Sequence, residues 1–294
     1  MLAFHDLWVH SKRPTTESPS HERLSTSAPT LSSTCHDWLS KITKRSVVDK
    51  PLSVNKRVLI RGISGTLLSG QVTVLTGASG SGKSVLLRVL AGLLPLSSGD
   101  VRLRAEDDSN SLVPCTKDIG THNIGARDLS ISDTSNHSIS IYDSSPTTWR
   151  SQVSLLAQHP QLLEGRVLDN LQMPYGLQAH QHRRFDVDWH INQLAHLERS
   201  PDFLYQQTTH LSGGEQQLVN TLRLLQLNPQ VLLLDEPTAA LDSDTSAQLV
   251  KLLMCWLRAD SRRTLLWVTH DTQDIMPLAD HHWHMQAGEL KSIF

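Results

Sequence analysis

The residues best suited to chemistry stand at positions 77–84, whose sequence GASGSGKS fits the pattern G-x-x-x-x-G-K-[ST]. Its glycines allow a curled backbone whose N–H groups point at one place, a geometry that binds phosphate oxygens. The lysine would bridge two phosphates of a nucleotide, and the last serine would ligate Mg²⁺. The alternative is a glycine-rich turn without a ligand. We predict nucleotide binding by this phosphate loop and the next residue: Gly77, Ala78, Ser79, Gly80, Ser81, Gly82, Lys83, Ser84 and Val85.

A second candidate is the acidic pair Asp235 and Glu236, which directly follows the apolar run VLLL at residues 231–234. An acid at the end of a buried strand can reach Mg²⁺ through water, and this is the role predicted for Asp235. Glu236 could take a proton from an attacking water, a general-base contribution of roughly 10²–10⁴-fold. An ordinary strand ending in solvated acids would look the same, so the prediction depends on the phosphate loop upstream.

These residues must be positioned by strands and helices, and the apolar pattern indicates which. Short apolar runs at residues 72–75, 231–234 and 265–268 alternate with helical patterns such as the one at 85–93. Uninterrupted apolar runs are typical of strands covered on both faces, and hence of a mainly parallel α/β sheet. Ligands of such sheets bind at the carboxyl ends of the strands, where both groups of candidate residues fall.

The composition excludes several classes of function. The 294 residues include 27 Lys and Arg against 29 Asp and Glu, a net charge of −2 from which no nucleic-acid partner is expected. No apolar stretch approaches the ~18 residues of a membrane span. Cys35, Cys115 and Cys255 are odd in number and far apart, so they fit a reducing compartment and specify neither a disulfide framework nor a zinc site.

Two polar segments interrupt the pattern. Residues 1–45 are rich in Ser, Thr and His and are predicted to be a disordered extension, so that deleting residues 1–40 should leave activity intact. Residues 106–146 are predicted to be a polar insert on the surface. The rest of residues 46–294 is predicted to form a single domain.

Three histidines near the end of the chain, in the sequence HHWHM, invite a metal-binding interpretation. Strand alternation would put His282 and His284 on one face, with His281 and Trp283 on the other. A fixed metal site needs more ligands than two imidazoles. We therefore interpret the segment as a surface strand or turn.

The segment LSGGEQQ at residues 211–217 resembles the signature sequence of ATP-binding cassette (ABC) ATPases. Other features of that family occur in order: the phosphate loop, Gln158 after VSLLA, the acidic pair, ALD at 240–242, and His270 after LLWVT. The resemblance covers about residues 52–290. It implies an α/β fold with a P-loop NTPase (RecA-like) core and a mainly parallel sheet, a helical subdomain at about 165–211 and a small antiparallel β part.

The resemblance also implies ligands and roles. ATP and Mg²⁺ would bind at the phosphate loop, with Ser84, Gln158 and Asp235 as the magnesium ligands. Glu236 would be the catalytic base, assisted by Gln158 and His270. A second copy of the chain would contribute its signature, so that a head-to-tail homodimer encloses two nucleotides. The further residues implied to bind nucleotide are Ser212, Gly213, Gly214, Glu215 and Asp242.

Among ABC proteins, residues 152–171, 232–242 and 265–271 most resemble the ATPase of bacterial iron-export (Fet-type) transporters. That resemblance implies a separate integral-membrane permease as partner and a peripheral place on the cytoplasmic face of the inner membrane. Two alternatives stay open. One is the ATPase of another ABC transporter, with a different cargo or with import; the other is a soluble ABC ATPase without a transport role.

The sequence departs from the family pattern at three places. Val85 replaces the threonine usual after the loop serine, and Leu218 replaces a basic residue usual after the signature. Positions 50–54, KPLSV, lack the aromatic that stacks on adenine. By analogy with other base stacking, its loss would remove about 1–3 kcal/mol of binding free energy. The groups that hydrolysis requires are all present.

Overall fold

The computed structural model describes residues 1–12, 56–104, 138–239, 241–273 and 275–294. The strands found there are β1 (Leu2–Lys12), β2 (Lys56–Leu67), β3 (Val72–Thr76), β4 (Ser98–Arg104), β5 (Ser138–Ser140), β6 (Val153–Leu156), β7 (Val231–Asp235), β8 (Thr264–Val268), β9 (His281–Gln286) and β10 (Glu289–Ser292). The α-helices are α1 (Lys83–Leu90), α2 (Pro146–Gln152), α3 (Val167–Gln172), α4 (Val187–His196), α5 (Gly213–Leu225) and α6 (Ser243–Arg258).

The larger sheet has six strands in the order β10-β9-β3-β8-β7-β6. Strands β9, β3, β8, β7 and β6 run parallel, and β10 returns antiparallel to β9. The apolar runs at 72–75, 231–234 and 265–268 form its inner strands β3, β7 and β8. The predicted mainly parallel sheet is therefore confirmed.

The inner strands are covered on both faces, and their side chains alternate between two apolar cores. In β7, Leu232 and Leu234 belong to the core that includes α5 and α6. Val231 and Leu233 belong to the core that includes α1 and β1. Because neither face of β7 meets water, its side chains are apolar until Asp235, at the end of the strand. The charged residues of this strand are therefore placed at its carboxyl end.

The smaller sheet has the order β2-β1-β4-β5, so β1 lies in its interior. Leu2, Phe4 and Leu7 are at most 3 % exposed. The Phe4 ring packs edge to face on Trp283, with 5.8 Å between ring centroids. The start of the chain is thus part of the fold.

The prediction that residues 1–45 form a disordered extension is therefore wrong for residues 2–12, and residues 13–45 lie outside the described residues. Averaged over the whole segment, the composition conceals one strand of 11 residues, which neighbouring strands stabilise on both sides. Deleting residues 1–40 would remove this inner strand, so the expectation that they are dispensable is revised.

The predicted polar insert, 106–146, also ends in folded structure. β5 pairs antiparallel with β4, and Ser140 Oγ donates a hydrogen bond to Asp100 Oδ1 at 2.6 Å. Residues 138–140 are therefore a strand and not a loop, because strand pairing satisfies their backbone despite the polar composition. Residues 141–145 form a turn, most of it exposed, that leads into α2. Residues 105–137 are outside the part of the chain that the structure describes.

Short helices occupy residues 165–211, where α3 and α4 alternate with 3-10 turns at Met173–Gly176, Pro201–Tyr205 and Thr208–His210. Met1–Val9 and Val58–Phe294 belong to one compact unit. None of the helices in the described ranges has the length and apolar character that a membrane crossing needs.

We expect Phe4→Ala to lower the free energy of unfolding by about 3–5 kcal/mol, because it leaves a cavity beside Trp283. His5→Ala is the matched control, since His5 is exposed on the same strand, and should change that free energy by less than about 0.5 kcal/mol. Denaturant unfolding of both variants measures the difference. If both substitutions lowered the free energy of unfolding equally little, the prediction that this segment is disordered would stand.

Candidate nucleotide and catalytic site

The phosphate loop joins the carboxyl end of β3 to the first turn of α1. Gly77, Gly80 and Gly82 have φ angles of 146°, 75° and 113°, in the region that favours glycine. A Cβ at Gly77 would also lie 2.1 Å from the carbonyl oxygen of Met285. This curled backbone, with the positive end of the α1 dipole behind it, fits a phosphate group. The loop residues exposed at the surface are Ala78, Ser79 and Gly80, whereas Ser81 is buried.

Lys83 begins α1, and its side chain turns back over the loop. Its Nζ donates to the Gly77 and Ala78 carbonyl oxygens at 2.7 and 3.0 Å and lies 3.4 Å from Nε2 of His270. The residue is only 6 % exposed. Burial lowers the pKa of Lys83, and the negative charges of Glu236 and Asp235 oppose that shift. The ammonium is therefore already in place for phosphate oxygens.

Two oxygens beside the loop fit the chemistry of Mg²⁺. Ser84 Oγ donates to Asp235 Oδ1 at 3.2 Å, which places a hydroxyl and a carboxylate together. Mg²⁺ prefers hard oxygen ligands and is usually held by one or two protein groups together with phosphates and water. The third predicted ligand, Gln158, is bonded instead to Glu236. Val85 packs against the apolar core that contains α1.

The three residues predicted to be catalytic meet in one group. Glu236 Oε2 accepts a hydrogen bond from Gln158 Nε2 at 3.1 Å, and Glu236 Oε1 lies 2.9 Å from His270 Nε2. Gln158, Glu236 and His270 come directly after or within two residues of β6, β7 and β8, adjacent parallel strands whose carboxyl ends meet. Glu236 has an uncommon φ of +49°, and its N–H donates to Val268 O at 3.0 Å. The carboxylate is thus held from both sides.

The signature, residues 211–217, forms the start of α5. Ser212 Oγ accepts from the Glu215 N–H at 3.2 Å, and Glu215 Oε2 accepts from the Ser212 N–H at 3.0 Å, a reciprocal capping box. Ser212 and Gly213 are exposed, whereas Gly214 is half-buried near Thr245. Within the described ranges, no hydrogen bond joins the signature to the phosphate loop of the same chain.

Asp242, predicted to bind nucleotide, is the N-cap of α6. Its carboxylate accepts hydrogen bonds from the backbone N–H and the hydroxyl of Thr245, at 2.9 and 2.8 Å. These bonds hold the pKa of Asp242 below its usual value. The structure therefore gives this residue a capping role, and nucleotide contact stays a prediction.

The chain matches the family model described as ABC transporter over residues 60–239, which include the phosphate loop, the signature and the acidic pair. The protein belongs to the ABC transporter family. As an ABC cassette it is an ATPase that binds ATP, with Mg²⁺ as the usual partner.

Relatives of this cassette serve opposite directions of transport. It is 30% identical over 217 residues to the probable iron export ATP-binding protein FetA of Escherichia coli K12, covering 74% of this chain and 80% of FetA. It is also 30% identical over 237 residues to the sulfate/thiosulfate import ATP-binding protein CysA of Synechococcus elongatus. That match covers 80% of this chain but only 57% of CysA. Identity alone therefore does not distinguish export from import.

Solved structures show the same fold. The dimeric, post-hydrolysis structure of the ATP-binding cassette MJ0796 bound to ADP and Pi has a TM-score of 0.66 at 18% identity, with 100% of this chain and 99% of that chain covered. The cassette cbiO1 of Clostridium perfringens has a TM-score of 0.58 at 22% identity, with 81% and 82% covered. The predicted P-loop NTPase fold of the ABC cassette is confirmed.

Sequence reasoning missed one support of the phosphate loop, the hairpin of β9 and β10. The Gly288 N–H donates to Ser81 O at 2.9 Å, and Met285 O excludes a side chain at Gly77. Gly288 has a φ of +82°, and a Cβ there would lie 2.7 Å from Leu59 O. Gly288 indicates a turn in the sequence alone. Its hydrogen bond to Ser81, which is distant in the chain, has no local sequence signal.

The histidines of HHWHM lie on β9. Thr76 Oγ1 contacts His282 Nε2 at 2.8 Å and His284 Nδ1 at 3.2 Å, so the prediction that the two imidazoles share a face is confirmed. The interpretation as a surface strand is wrong, because β9 lies between β3 and β10 with Trp283 and Met285 buried. Burial and the charge of His284 lower the pKa of His282. In the described residues, no group of three metal-ligating side chains occurs.

We expect Gly288→Ala to weaken ATP binding about tenfold, because the strained backbone and the crowded Leu59 carbonyl shift the hairpin that supports Ser81. Gly176→Ala is the control, since a Cβ there meets open space. Titration of the full chain with ATP measures both affinities. If Gly288→Ala bound ATP with unchanged affinity, the hairpin would not be a support of the nucleotide site.

Proposed function

We propose that this ATPase powers a membrane permease that exports a metal ion, iron, and that it works as a homodimer on the cytoplasmic face of the inner membrane. The observation that carries the hydrolytic step is the contact of Glu236 with both Gln158 and His270, beside the Lys83 ammonium. Support for the transport step comes from the family and from the similarity to FetA.

Each side chain of this group has a task that its position supports. Lys83 exchanges its bonds to loop carbonyls for bonds to phosphate oxygens of ATP. Glu236 accepts a proton from the water that attacks the terminal phosphate, and its neighbour His270 keeps the carboxylate oriented. His270, which also lies beside Lys83, contacts the terminal phosphate and reports its presence.

Ser84 and Asp235 would hold Mg²⁺, joined by Gln158 once it leaves Glu236. When bound, the ion supplies positive charge that stabilises the phosphate oxygens during transfer. The chain's own contribution is to keep a hydroxyl and a carboxylate side by side at the loop.

The proposal of a dimer rests on the solvent exposure of the signature residues at the start of α5. Ser212 and Gly213 present the N-terminus of α5 to solvent, and backbone N–H groups at a helix N-terminus bind anions. Because the signature is not bonded to its own phosphate loop, a head-to-tail pair lets each copy close the other's nucleotide. The dimeric form of the MJ0796 cassette supports this arrangement.

Cargo and direction are the finer part of the proposal. FetA is named for iron export, whereas CysA and the 29% identical MetN 1 of Pseudomonas putida are named for import. Iron export is favoured because the chain covers 80% of FetA but 57% of CysA and 58% of MetN 1. The import relatives are thus much longer than the matched cassette.

In the purified full chain, we expect Glu236→Gln to lower ATP turnover by about tenfold or more, because the amide cannot accept the proton. ATP binding persists, so an ATP-bound dimer accumulates. Glu289→Gln, an exposed glutamate on β10, is the control. Phosphate release measures turnover, and light scattering measures the dimer. Near-normal turnover would remove Glu236 from the role of base.

Affinity isolation of the tagged full chain from detergent-solubilised membranes tests the transport role. We expect one polytopic permease to co-purify, and vesicles containing the pair to move iron outward on addition of ATP. Outward movement of another ion would support the transport role but contradict iron as the cargo. Recovery with ribosomes, and without a permease, would favour the soluble ABC ATPase.

A further inference from the structure

A cavity of ≈ 490 Å³ lies between α4 and α6, apart from the residues assigned to ATP. Its volume falls within the roughly 300–1,000 Å³ of small-molecule sites. One wall comes from the helices that follow residue 165, and the other from the helix after β7 and the end of α5. A ligand there would contact two separate layers of the fold.

Aromatic rings form much of the wall. Tyr175, Trp189 and Trp256 line the cavity. Trp189 packs edge-on against His190, with ring centroids 4.8 Å apart, and the guanidinium of Arg263 lies 5.0 Å from the centre of the Trp256 ring. Rigid aromatic faces of this kind suit a planar apolar body.

Several buried polar atoms of the lining residues are unsatisfied. Trp256 Nε1, Arg263 Nε and Gln248 Oε1 are shielded from solvent and have no hydrogen-bond partner in the described part of the chain. Each such group costs about 1–3 kcal/mol of folding free energy. Two of the three are N–H donors. A ligand that formed hydrogen bonds with these two donors would have to supply acceptor oxygens.

The charges around the cavity favour an anion. Arg184, Lys251 and Arg263 line it, and Asp186 is the single acid among the described lining residues. The Asp186 carboxylate is already engaged as the cap of α4, where it accepts from the Trp189 N–H at 2.9 Å. Burial lowers the pKa of Arg263, and the charge of Asp260 opposes that shift. The terminal guanidinium nitrogens of Arg263 donate to Trp256 O and Asn228 Oδ1, so its charge, and not these two donors, would attract an anion.

We propose that this cavity binds a small aromatic carboxylate, with its ring against Trp189 and Trp256 and its carboxylate toward Lys251 and Arg263. The site requires no nucleotide, because its lining shares no residue with the catalytic group. Its occupation is therefore independent of the proposed hydrolysis and transport, and the two can fail separately.

The probe is 2-naphthoate, with the neutral 2-naphthamide as its matched comparison. Cys255 is exposed and lines the cavity, so occupation should slow its alkylation by iodoacetamide. The full chain carries Cys35→Ser and Cys115→Ser to leave this thiol alone. The probe concentration that halves the alkylation rate gives the dissociation constant, measured with and without saturating ATP.

We expect 2-naphthoate to protect Cys255, to bind more tightly than 2-naphthamide, and to resist displacement by ATP. Trp256→Phe keeps the ring but removes the donor, and should weaken 2-naphthoate about fivefold. Lys251→Gln alters an exposed side chain that the fold does not need, and should weaken it about two- to fivefold. Arg258→Gln, on the same helix but outside the lining, should change nothing.

Three results would overturn the proposal: no protection by 2-naphthoate, equal binding of the acid and the amide, or displacement of the acid by ATP. If Trp256→Phe fails to fold, the affinities of Lys251→Gln and Arg258→Gln for 2-naphthoate still test the proposal. Equal affinities of those two variants for 2-naphthoate would also contradict an anion site at this cavity.

Discussion

A positive charge held at the carboxyl edge of a buried sheet is the constraint from which the rest of the site follows. Lys83 is only 6 % exposed, and among the described residues loop carbonyls and nearby acids compensate for the hydration that its ammonium loses. Phosphates brought to this point face the carboxylates of Asp235 and Glu236, whose repulsion one ammonium does not cancel. ATP accompanied by Mg²⁺ meets this requirement, and the Ser84 hydroxyl beside Asp235 is the place proposed for the ion.

The fold supplies the stiffness that this arrangement needs. Three neighbouring strands carry Gln158, Glu236 and His270 to one edge, and their apolar interiors leave them little room to shift. The hairpin of β9 and β10 supports the phosphate loop from the other side. By contrast, the signature stands exposed at a helix start. The rigid half of the site lies within one chain, and in the proposed homodimer the signature of a second copy would close it.

The features that could be predicted from the sequence are either contiguous in the chain or buried on both faces. The phosphate loop is contiguous, and β3, β7 and β8 were readable because water reaches neither of their faces. β1 escaped detection because the long polar segment that follows it dominates the composition of residues 1–45. The hairpin's support of the loop joins residues far apart in the chain, and no local pattern records such a contact. The roles of Gln158 and His270 came from family resemblance, not from the chemistry of the single residues.

Every step of hydrolysis requires that Lys83 and its loop recognise phosphate. This recognition is measured by comparing the affinities of MgATP and adenosine for the wild-type chain and for Lys83→Ala, with Lys291→Ala as a control on an exposed lysine. We expect Lys83→Ala to weaken MgATP binding by about 10- to 100-fold while the affinity for adenosine is unchanged. An unaltered preference for MgATP over adenosine in Lys83→Ala would contradict phosphate recognition by this lysine.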